Sequence, residues 1–164
     1  MAITIARVAW DDPRGVALRT AMDAEMSALY ATSIVARTPE EAAEINAIIA
    51  LQPEDVVASV IALDGDTAVG HAALKAFENS LEVKKVVVDP NHRGKGISKL
   101  VMLELEDIAR EQGFSSLILQ TGDRQPEAIA LYKRLGYVEI PVFGKYGLLD
   151  VSICFEKKLD QVAS

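Results

Sequence analysis

Residues 86–98 read Val-Val-Val-Asp-Pro-Asn-His-Arg-Gly-Lys-Gly-Ile-Ser. The valines are typical of a buried strand, Asp89-Pro90 marks a turn, and the glycine-rich segment leads into a run with helical periodicity. Such a turn directs free backbone N–H groups and the positive end of a helix dipole toward one point. The stretch therefore predicts an anion site between a strand and a helix, and phosphate is the anion that such sites commonly bind.

The charges around this turn agree with an anionic ligand. Residues 84–99 carry five basic side chains and one acidic one, a net charge of +4, whereas the chain of 164 residues carries −7 as a whole. The remaining residues therefore hold a net charge of −11. Because an acidic protein binds nucleic acid backbones poorly, we expect a small phosphorylated ligand at the turn and no nucleic acid partner.

Three phosphate-binding turns compete for this stretch. A Walker-type loop needs Ser or Thr after Gly-Lys, but Gly96 follows Lys95 here. A dinucleotide fingerprint needs Gly where Lys99 stands and an acid where Gln120 stands. The segment Arg93-Gly94-Lys95-Gly96-Ile97-Ser98 resembles the third, the phosphate loop of the GNAT superfamily of acyl-CoA-dependent N-acetyltransferases, written (Gln/Arg)-x-x-Gly-x-(Gly/Ala). Ser98 departs from that pattern but keeps its backbone N–H.

A second motif resembles the same superfamily. Residues 125–137 look like its second cofactor motif, in which a helix entered by Asn ends in Tyr-x-x-x-Gly-(Phe/Tyr). Gln125 replaces the Asn and keeps a side-chain amide for the pantetheine arm, while Tyr132 and Gly136-Tyr137 match the end of the motif. The resemblance covers about residues 56–158. The two N-terminal helices match in type only.

Hydrophobic periodicity predicts the element order β-α-α-β-β-β-α-β-α-β-β, a mixed sheet with helices on its faces. The resemblance implies a single α/β domain over residues 1–164, with a mostly antiparallel sheet of six to seven strands and about four helices. The predicted helices span 13–33, 39–50, from near Gly94 to Gly113, and 127–135. The predicted strands include 3–8, 56–63, 67–74, 81–88, 116–119 and 151–155.

The resemblance also implies a function, the transfer of an acetyl group from acetyl-CoA to a primary amine of a small molecule or peptide. The amine would attack the thioester directly, through a tetrahedral intermediate. The main chain of Val86, Val87 and Val88, the loop 93–98 and Gln125 would bind the cofactor. Tyr132 matches the general acid that protonates the departing sulfur, although its helical spacing also suits a core residue. An acyl-CoA-binding sensor or regulatory protein without turnover is the alternative.

Glu82 matches a carboxylate that serves some members of the superfamily as general base, whereas a Glu at the start of a strand is more often merely solvated. Tyr146, in the connection 141–150, is a candidate for orienting the acceptor. Acidic residues of the first two predicted helices are expected to line the acceptor mouth and to attract cationic amines. These residues are Asp23, Glu25, Glu40, Glu41 and Glu44.

The remaining sequence features concern disulfides, metal binding, location and assembly. One cysteine, Cys154, excludes an internal disulfide, and two histidines give little material for a metal site, so we expect no metal. His71 is expected to be a hydrogen-bonded histidine of the sheet. No signal peptide or membrane-spanning run is evident, which predicts a cytoplasmic protein. A homodimer is a further candidate assembly.

Overall fold

The structure, a computed structural model, describes residues 2–36 and 38–160. The predicted domain over 1–164 also includes Met1, Arg37 and 161–164, which lie outside the described residues.

Seven strands form one sheet within the described residues. The strands are β1 (Ile3–Val8), β2 (Val56–Asp64), β3 (Thr67–Phe77), β4 (Ser80–Val88), β5 (Ser116–Gly122), β6 (Val138–Ile140) and β7 (Ser152–Lys158). Their spatial order is β1-β2-β3-β4-β5-β7-β6, and β4 and β5 are parallel whereas the other neighbouring pairs are antiparallel. The predicted fold class is therefore confirmed.

The described ranges contain four α-helices, α1 (Pro13–Leu29), α2 (Pro39–Ile49), α3 (Ile97–Glu111) and α4 (Pro126–Arg134). Side-chain caps begin the first two. Asp12 accepts a hydrogen bond from the Arg14 amide, and Thr38 accepts one from the Glu41 amide. Each capping residue precedes a proline at the first helical position, where no N–H is needed, so both starts are encoded locally.

Two helix boundaries differ from the prediction by three residues or more. The first helix was expected to reach residue 33 but ends at Leu29, and Tyr30 follows it with a hydroxyl anchored on the Arg124 amide. The third was expected to begin near Gly94 but begins at Ile97. Gly94 and Gly96 have φ of 77° and 79°, a left-handed conformation that a right-handed helix cannot contain.

Helix α3 packs on the sheet through Val101, Met102 and Leu105, which are fully buried. Its first residue, Ile97, contacts the sheet where β3 carries Gly70. A Cβ atom at Gly70 would lie 2.9 Å from Ile97 Cγ2 and 3.1 Å from the Ala62 Cβ. The missing side chain thus lets the start of α3 approach the sheet beside the end of β4, and this sets the position of the predicted phosphate loop.

A second, smaller core joins α1 and α2 to the segment that precedes β7. Its buried members are Tyr30, Tyr146, Leu149 and Val151, with Met26, Leu29, Ile34, Ile45, Ile48 and Phe143 packed around them. No helix among the described residues is long and apolar enough to cross a membrane.

Candidate active site

The site begins where β4 and β5 separate. Their parallel pairing covers Leu81–Val83 with Leu117–Leu119 and stops there. Immediately afterwards β4 contains a bulge, since its register against β3 moves from Ala73↔Lys84 to His71↔Val87 and one extra residue is accommodated. Lys85 within the bulge has φ of 57°. The bulge bends the strand, so the main-chain groups of β4 beyond Val83 face a gap instead of a neighbouring strand.

A buried histidine supports this bulge. His71 Nδ1 donates a hydrogen bond of 2.8 Å to the carbonyl oxygen of Lys85, and Nε2 lies 3.2 Å from a guanidinium nitrogen of Arg19, from which it accepts. Arg19 in turn stacks on the ring of Trp10 at 3.4 Å. Burial lowers the pKa of His71 to about 4. The ring is therefore neutral at physiological pH and acts as a structural brace, as the sequence predicts.

The gap opens into a cleft of about 700 Å³ between the sheet and the first two helices. Four of the predicted site residues line it together, namely Val86, Gln125, Tyr132 and Tyr146. Met22, Met26, Ile45 and Ile49 supply an apolar wall from α1 and α2. The cleft is therefore continuous from the predicted cofactor strand to the predicted acceptor side.

Glu82 and Tyr146 are in direct contact at the floor of the cleft. The Tyr146 hydroxyl donates a hydrogen bond to a Glu82 carboxylate oxygen and accepts one of 2.7 Å from Lys84 Nζ. Glu82 is 2% exposed, so the interpretation of a merely solvated carboxylate is wrong. Because Glu82 does not itself line the cleft, Tyr146 separates the carboxylate from any ligand there.

Tyr132 presents a protonated hydroxyl to the same cleft. Its ring packs on Tyr137 and Phe155, and its hydroxyl has no hydrogen-bond partner among the residues that the structure describes. Burial raises the pKa of Tyr132 to about 12, so the hydroxyl keeps its proton at neutral pH. The ring is buried, and a hydroxyl that faces the cleft without a protein partner is available to donate to a ligand atom.

Gln125 stands at the start of α4, and its side-chain nitrogen donates to the Tyr30 hydroxyl at 3.3 Å. The same hydroxyl lies against the backbone of β5, because a Cβ atom at Gly122 would be 1.9 Å from it. Tyr30 thus connects α1 to the end of β5 and to the start of α4. The amide that the sequence assigns to the pantetheine arm has a protein partner in this structure.

The predicted phosphate loop lies beyond the cleft, at the start of α3. Gly96 is the N-cap of α3 and has no side chain to cap it, so the first amides of the helix are free of a side-chain partner. Cβ atoms at Gly94 and Gly96 would meet nothing within 4 Å among the described residues. The loop is therefore uncovered at both glycines, while the Ile97 side chain is buried in the core.

Acidic residues of α1 neutralise part of the basic segment 84–99. Asp23 forms an ion pair of 2.9 Å with Lys85, and Glu25 forms one of 2.8 Å with Arg93. Arg93 Nε also donates to the Val88 carbonyl at 3.1 Å. Of the acidic residues expected at the acceptor mouth, Asp23 lines the cleft, whereas Glu25, Glu40, Glu41 and Glu44 are not part of its described lining. Of these five acids, the lining of the cleft therefore contains one, and that one is paired with Lys85.

The family model described as the acetyltransferase (GNAT) family matches residues 19–137, most of the chain. The chain belongs to the GNAT family.

Known GNAT proteins resemble this chain in sequence and structure. An IAA acetyltransferase of Azospirillum brasilense is 41% identical over 78 residues, which are 48% of this chain and 51% of that protein. The chain thus spans about half the length of this curated relative. A Klebsiella pneumoniae protein described as an acyl-CoA N-acyltransferase is 31% identical, with a TM-score of 0.76 over 96% of this chain and 98% of the other.

A third similar protein, the PaiA N-acetyltransferase of Thermoplasma acidophilum, was solved in complex with coenzyme A. It is 20% identical to this chain, with a TM-score of 0.66 over 96% of this chain and 99% of its own. At this identity the likeness concerns the fold of the GNAT domain.

Sequence reasoning missed two residues of this GNAT cleft. Lys84 was counted only as part of the basic segment, although it lies two residues from Glu82 and so shares a strand face with it. Tyr30 follows α1 directly, and its contacts with Gly122 and Gln125 bridge more than 90 residues of sequence. The spacing from Glu82 was a local signal for Lys84, whereas no local signal existed for Tyr30.

The lowered pKa of His71, which supports the bulge, predicts that the stability of the protein depends on pH. The folded-state pKa of His71 is about 4, below its ordinary 6.5. Between these values the unfolded chain binds a proton that the folded chain does not, so this contribution to stability is complete above pH 6.5 and is lost as the pH falls. The effect amounts to about 3 kcal/mol. In His71→Gln, which keeps a donor and an acceptor without titrating, the free energy of unfolding measured by urea denaturation should fall less between pH 6.5 and 4.

His92→Gln is the control, because it removes the other histidine and retains His71. It should keep the steeper loss of stability with falling pH. Equal slopes in His71→Gln and in the unsubstituted protein would contradict the assignment of a neutral, buried His71.

Proposed function

We propose that this GNAT protein is an acyl-CoA-dependent N-acetyltransferase that transfers an acetyl group from acetyl-CoA to a primary amine of a small molecule or peptide. The observation that carries the proposal is the single cleft in which the open edge of β4, the Tyr132 hydroxyl and the pair of Glu82 and Tyr146 converge. Acetyl transfer to an amine needs a binding place for the thioester, a proton donor for the leaving sulfur and an acceptor for the proton of the amine. These groups meet those three needs.

The loop 93–98 fits the pyrophosphate of acetyl-CoA. Its helix is 15 residues long, begins at a glycine without a side-chain cap, and offers its first amides on an open face. The coenzyme A complex of the Thermoplasma acidophilum protein, which has the same fold, supports this ligand. The Val88 carbonyl accepts a hydrogen bond from Arg93, the first residue of the loop. We expect the Arg93 guanidinium to exchange Glu25 for a phosphate, since both ion-pair partners are about half exposed.

The main chain of β4 supplies a donor for the acyl oxygen. The Asp89 amide donates to the Val69 carbonyl of β3. Because hydrogen-bonding directions alternate along an antiparallel strand, the amide of Val88 points away from β3, toward the side on which β5 has diverged. A fixed amide at this position stabilises negative charge as it develops on the acyl oxygen. Val86, in the lining of the cleft, continues the same edge.

Tyr132 is the proposed general acid. When bound, acetyl-CoA supplies an activated acyl group: the acceptor nitrogen first forms the C–N bond, giving the tetrahedral intermediate, and the C–S bond then breaks. The electron pair of the broken bond leaves with the sulfur, and the Tyr132 hydroxyl gives its proton to that sulfur. The raised pKa of Tyr132 keeps this proton in place until negative charge reaches the sulfur.

Glu82 is the proposed base, and it acts through Tyr146. The Tyr146 oxygen donates to Glu82 and accepts from Lys84, which leaves one lone pair for an N–H of the acceptor. As the amine attacks, its proton passes to the Tyr146 oxygen while the phenolic proton passes to Glu82. This route reconciles the role implied by the family resemblance with the burial of the carboxylate.

Reversal of the charge at Arg93 should weaken coenzyme A binding. Arg93→Glu places a second carboxylate beside Glu25 at the phosphate loop, and we expect at least a tenfold rise in the Kd of coenzyme A measured by calorimetry. Arg134→Glu makes the same charge change at the exposed end of α4 and should leave the Kd nearly unchanged. An unaltered Kd in Arg93→Glu would remove the loop from the binding site.

Loss of the Tyr132 hydroxyl should lower turnover more than binding. Tyr132→Phe keeps the ring contacts with Tyr137 and Phe155, so the Kd of acetyl-CoA should change little while kcat falls by about 10²–10⁴. Thiol release from acetyl-CoA with a panel of amines measures this directly. Nearly full kcat in Tyr132→Phe would refute the role as acid, and tight acetyl-CoA binding with no thiol release from the unsubstituted protein would favour the sensor.

Removal of the carboxylate at Glu82 should change the pH dependence of catalysis. Without a base, attack waits until solvent deprotonates the acceptor, whose pKa is about 10.4 for an aliphatic amine. Glu82→Gln should therefore lower kcat/KM and move its pH profile toward alkaline pH, and Tyr146→Phe should do the same because the proton route is broken.

Glu106→Gln is the matched control for this experiment. Glu106 is also a buried glutamate bound to a tyrosine and a lysine, Tyr137 and Lys157, but it lies outside the cleft. Its replacement should affect thermal stability and leave the pH profile in place. A profile that does not move in Glu82→Gln would exclude the carboxylate as the base.

A further inference from the structure

Lys84 is a charged group of the cleft with no described carboxylate at hydrogen-bond distance, whereas its neighbour Lys85 has Asp23 at 2.9 Å. It lines the cleft, its side chain is 11% exposed, and it donates one hydrogen bond, to Tyr146. Glu82 lies 3.9 Å from Lys84 Nζ, beyond hydrogen-bond distance. An ammonium group has three N–H donors. Among the described residues, therefore, two of these donors have no acceptor.

A second cluster of the same residue types shows the contrast. Lys157 binds the carboxylate of Glu106 directly at 2.8 Å, and Tyr137 donates to the other oxygen of that carboxylate. In the cleft, the tyrosine stands between the lysine and the glutamate instead. Lys157 thus has a carboxylate at hydrogen-bond distance, whereas Lys84 has a neutral hydroxyl at that distance and the Glu82 carboxylate 3.9 Å away.

A ligand that fills the cleft would have to supply a hydrogen-bond acceptor for Lys84. Burial already lowers the pKa of Lys84, since desolvation penalises its charged form. A ligand that displaces the remaining water without offering an oxygen would leave buried N–H donors unpaired, which is costly for a charged group. An anionic oxygen on the ligand removes this cost. The site therefore favours a ligand with an anion close to Lys84.

Resting on the proposed function, we propose that the acceptor is a free α-amino acid with an apolar side chain, whose carboxylate binds Lys84 and whose amino group contacts the Tyr146 oxygen. The two protein atoms are hydrogen-bonded neighbours, 2.7 Å apart. An α-amino acid carries its amine and carboxylate on one carbon and can reach both. Met22, Met26, Ile45 and Ile49 form the apolar wall for its side chain.

The charges of the cleft support a zwitterion. Asp23 neutralises Lys85, and Glu82 and Lys84 together carry no net charge. A zwitterionic acceptor keeps the buried site neutral, whereas a cationic amine adds an unbalanced positive charge beside Lys84. The acceptor expected from the acidic helices was cationic, so this inference replaces that expectation for the cleft itself.

The test compares L-leucine with L-leucinamide, which has nearly the same shape and no carboxylate, and which also represents a peptide N-terminus. A charge-assisted hydrogen bond is worth enough to predict a kcat/KM about 10- to 100-fold higher for leucine in the unsubstituted protein. Lys84→Gln should remove this preference by lowering the value for leucine alone. Lys157→Gln, which removes the internally paired lysine, should retain the preference.

Calorimetry with the unsubstituted protein loaded with coenzyme A provides a measurement that does not depend on the folding of Lys84→Gln. Leucine should bind more tightly than leucinamide. Equal binding, equal kcat/KM, or an equal loss for both acceptors in Lys84→Gln would overturn the inference. Acetylation of leucinamide but not leucine would overturn it and leave the acetyltransferase intact, whereas absence of acetyl-CoA binding would refute the proposed function itself.

Discussion

The hydrogen bond from His71 to the carbonyl of Lys85 holds the irregular backbone from which the cleft arises. A non-glycine residue with φ of 57° costs of order 1–3 kcal/mol, and it persists only where the surroundings determine it. Here the surroundings are a fully buried imidazole, the Arg19 guanidinium and the Trp10 ring. Without the extra residue of the bulge, β4 would continue beside β5, and its edge would be consumed by sheet hydrogen bonds. The cleft is thus a consequence of a local backbone defect that the core stabilises.

The chain contains two clusters of a glutamate, a tyrosine and a lysine, and the hydrogen bonds within the two clusters are arranged differently. Glu106 and Lys157 tie α3 to β7 through a direct ion pair, and Tyr137 donates to the second oxygen of the carboxylate. Around Glu82, the tyrosine comes from the connection before β7 and is inserted between the charges. Lys157 has a carboxylate at hydrogen-bond distance, whereas Lys84 has a neutral hydroxyl at that distance. The order of the three groups, more than their identity, separates the two clusters.

The features that could be predicted from the sequence are those encoded within a few residues. The glycines at 94 and 96, the caps at Asp12 and Thr38, and the periodicity of α3 act locally, and the structure has each in place. The pairing of Glu82 with Tyr146 could not be derived in this way, because 64 residues separate them and the contact depends on how the connection before β7 folds back. For the same reason the acids of α1 were assigned to the acceptor. Only the packing of α1 against the loop shows that Asp23 and Glu25 face basic side chains.

Trp10 is the single tryptophan of the chain, and it belongs to the group that supports the bulge. Its ring faces the Arg19 guanidinium at 3.4 Å and the His71 ring at 6.0 Å. Indole emission depends on charged groups in contact with the ring, so the intrinsic fluorescence of the protein originates at the structural origin of the cleft. A displacement of the bulge would therefore change the wavelength or the intensity of that emission, and no attached label is needed to observe it. The single tryptophan is thus an intrinsic fluorescence probe of the region where β4 separates from β5.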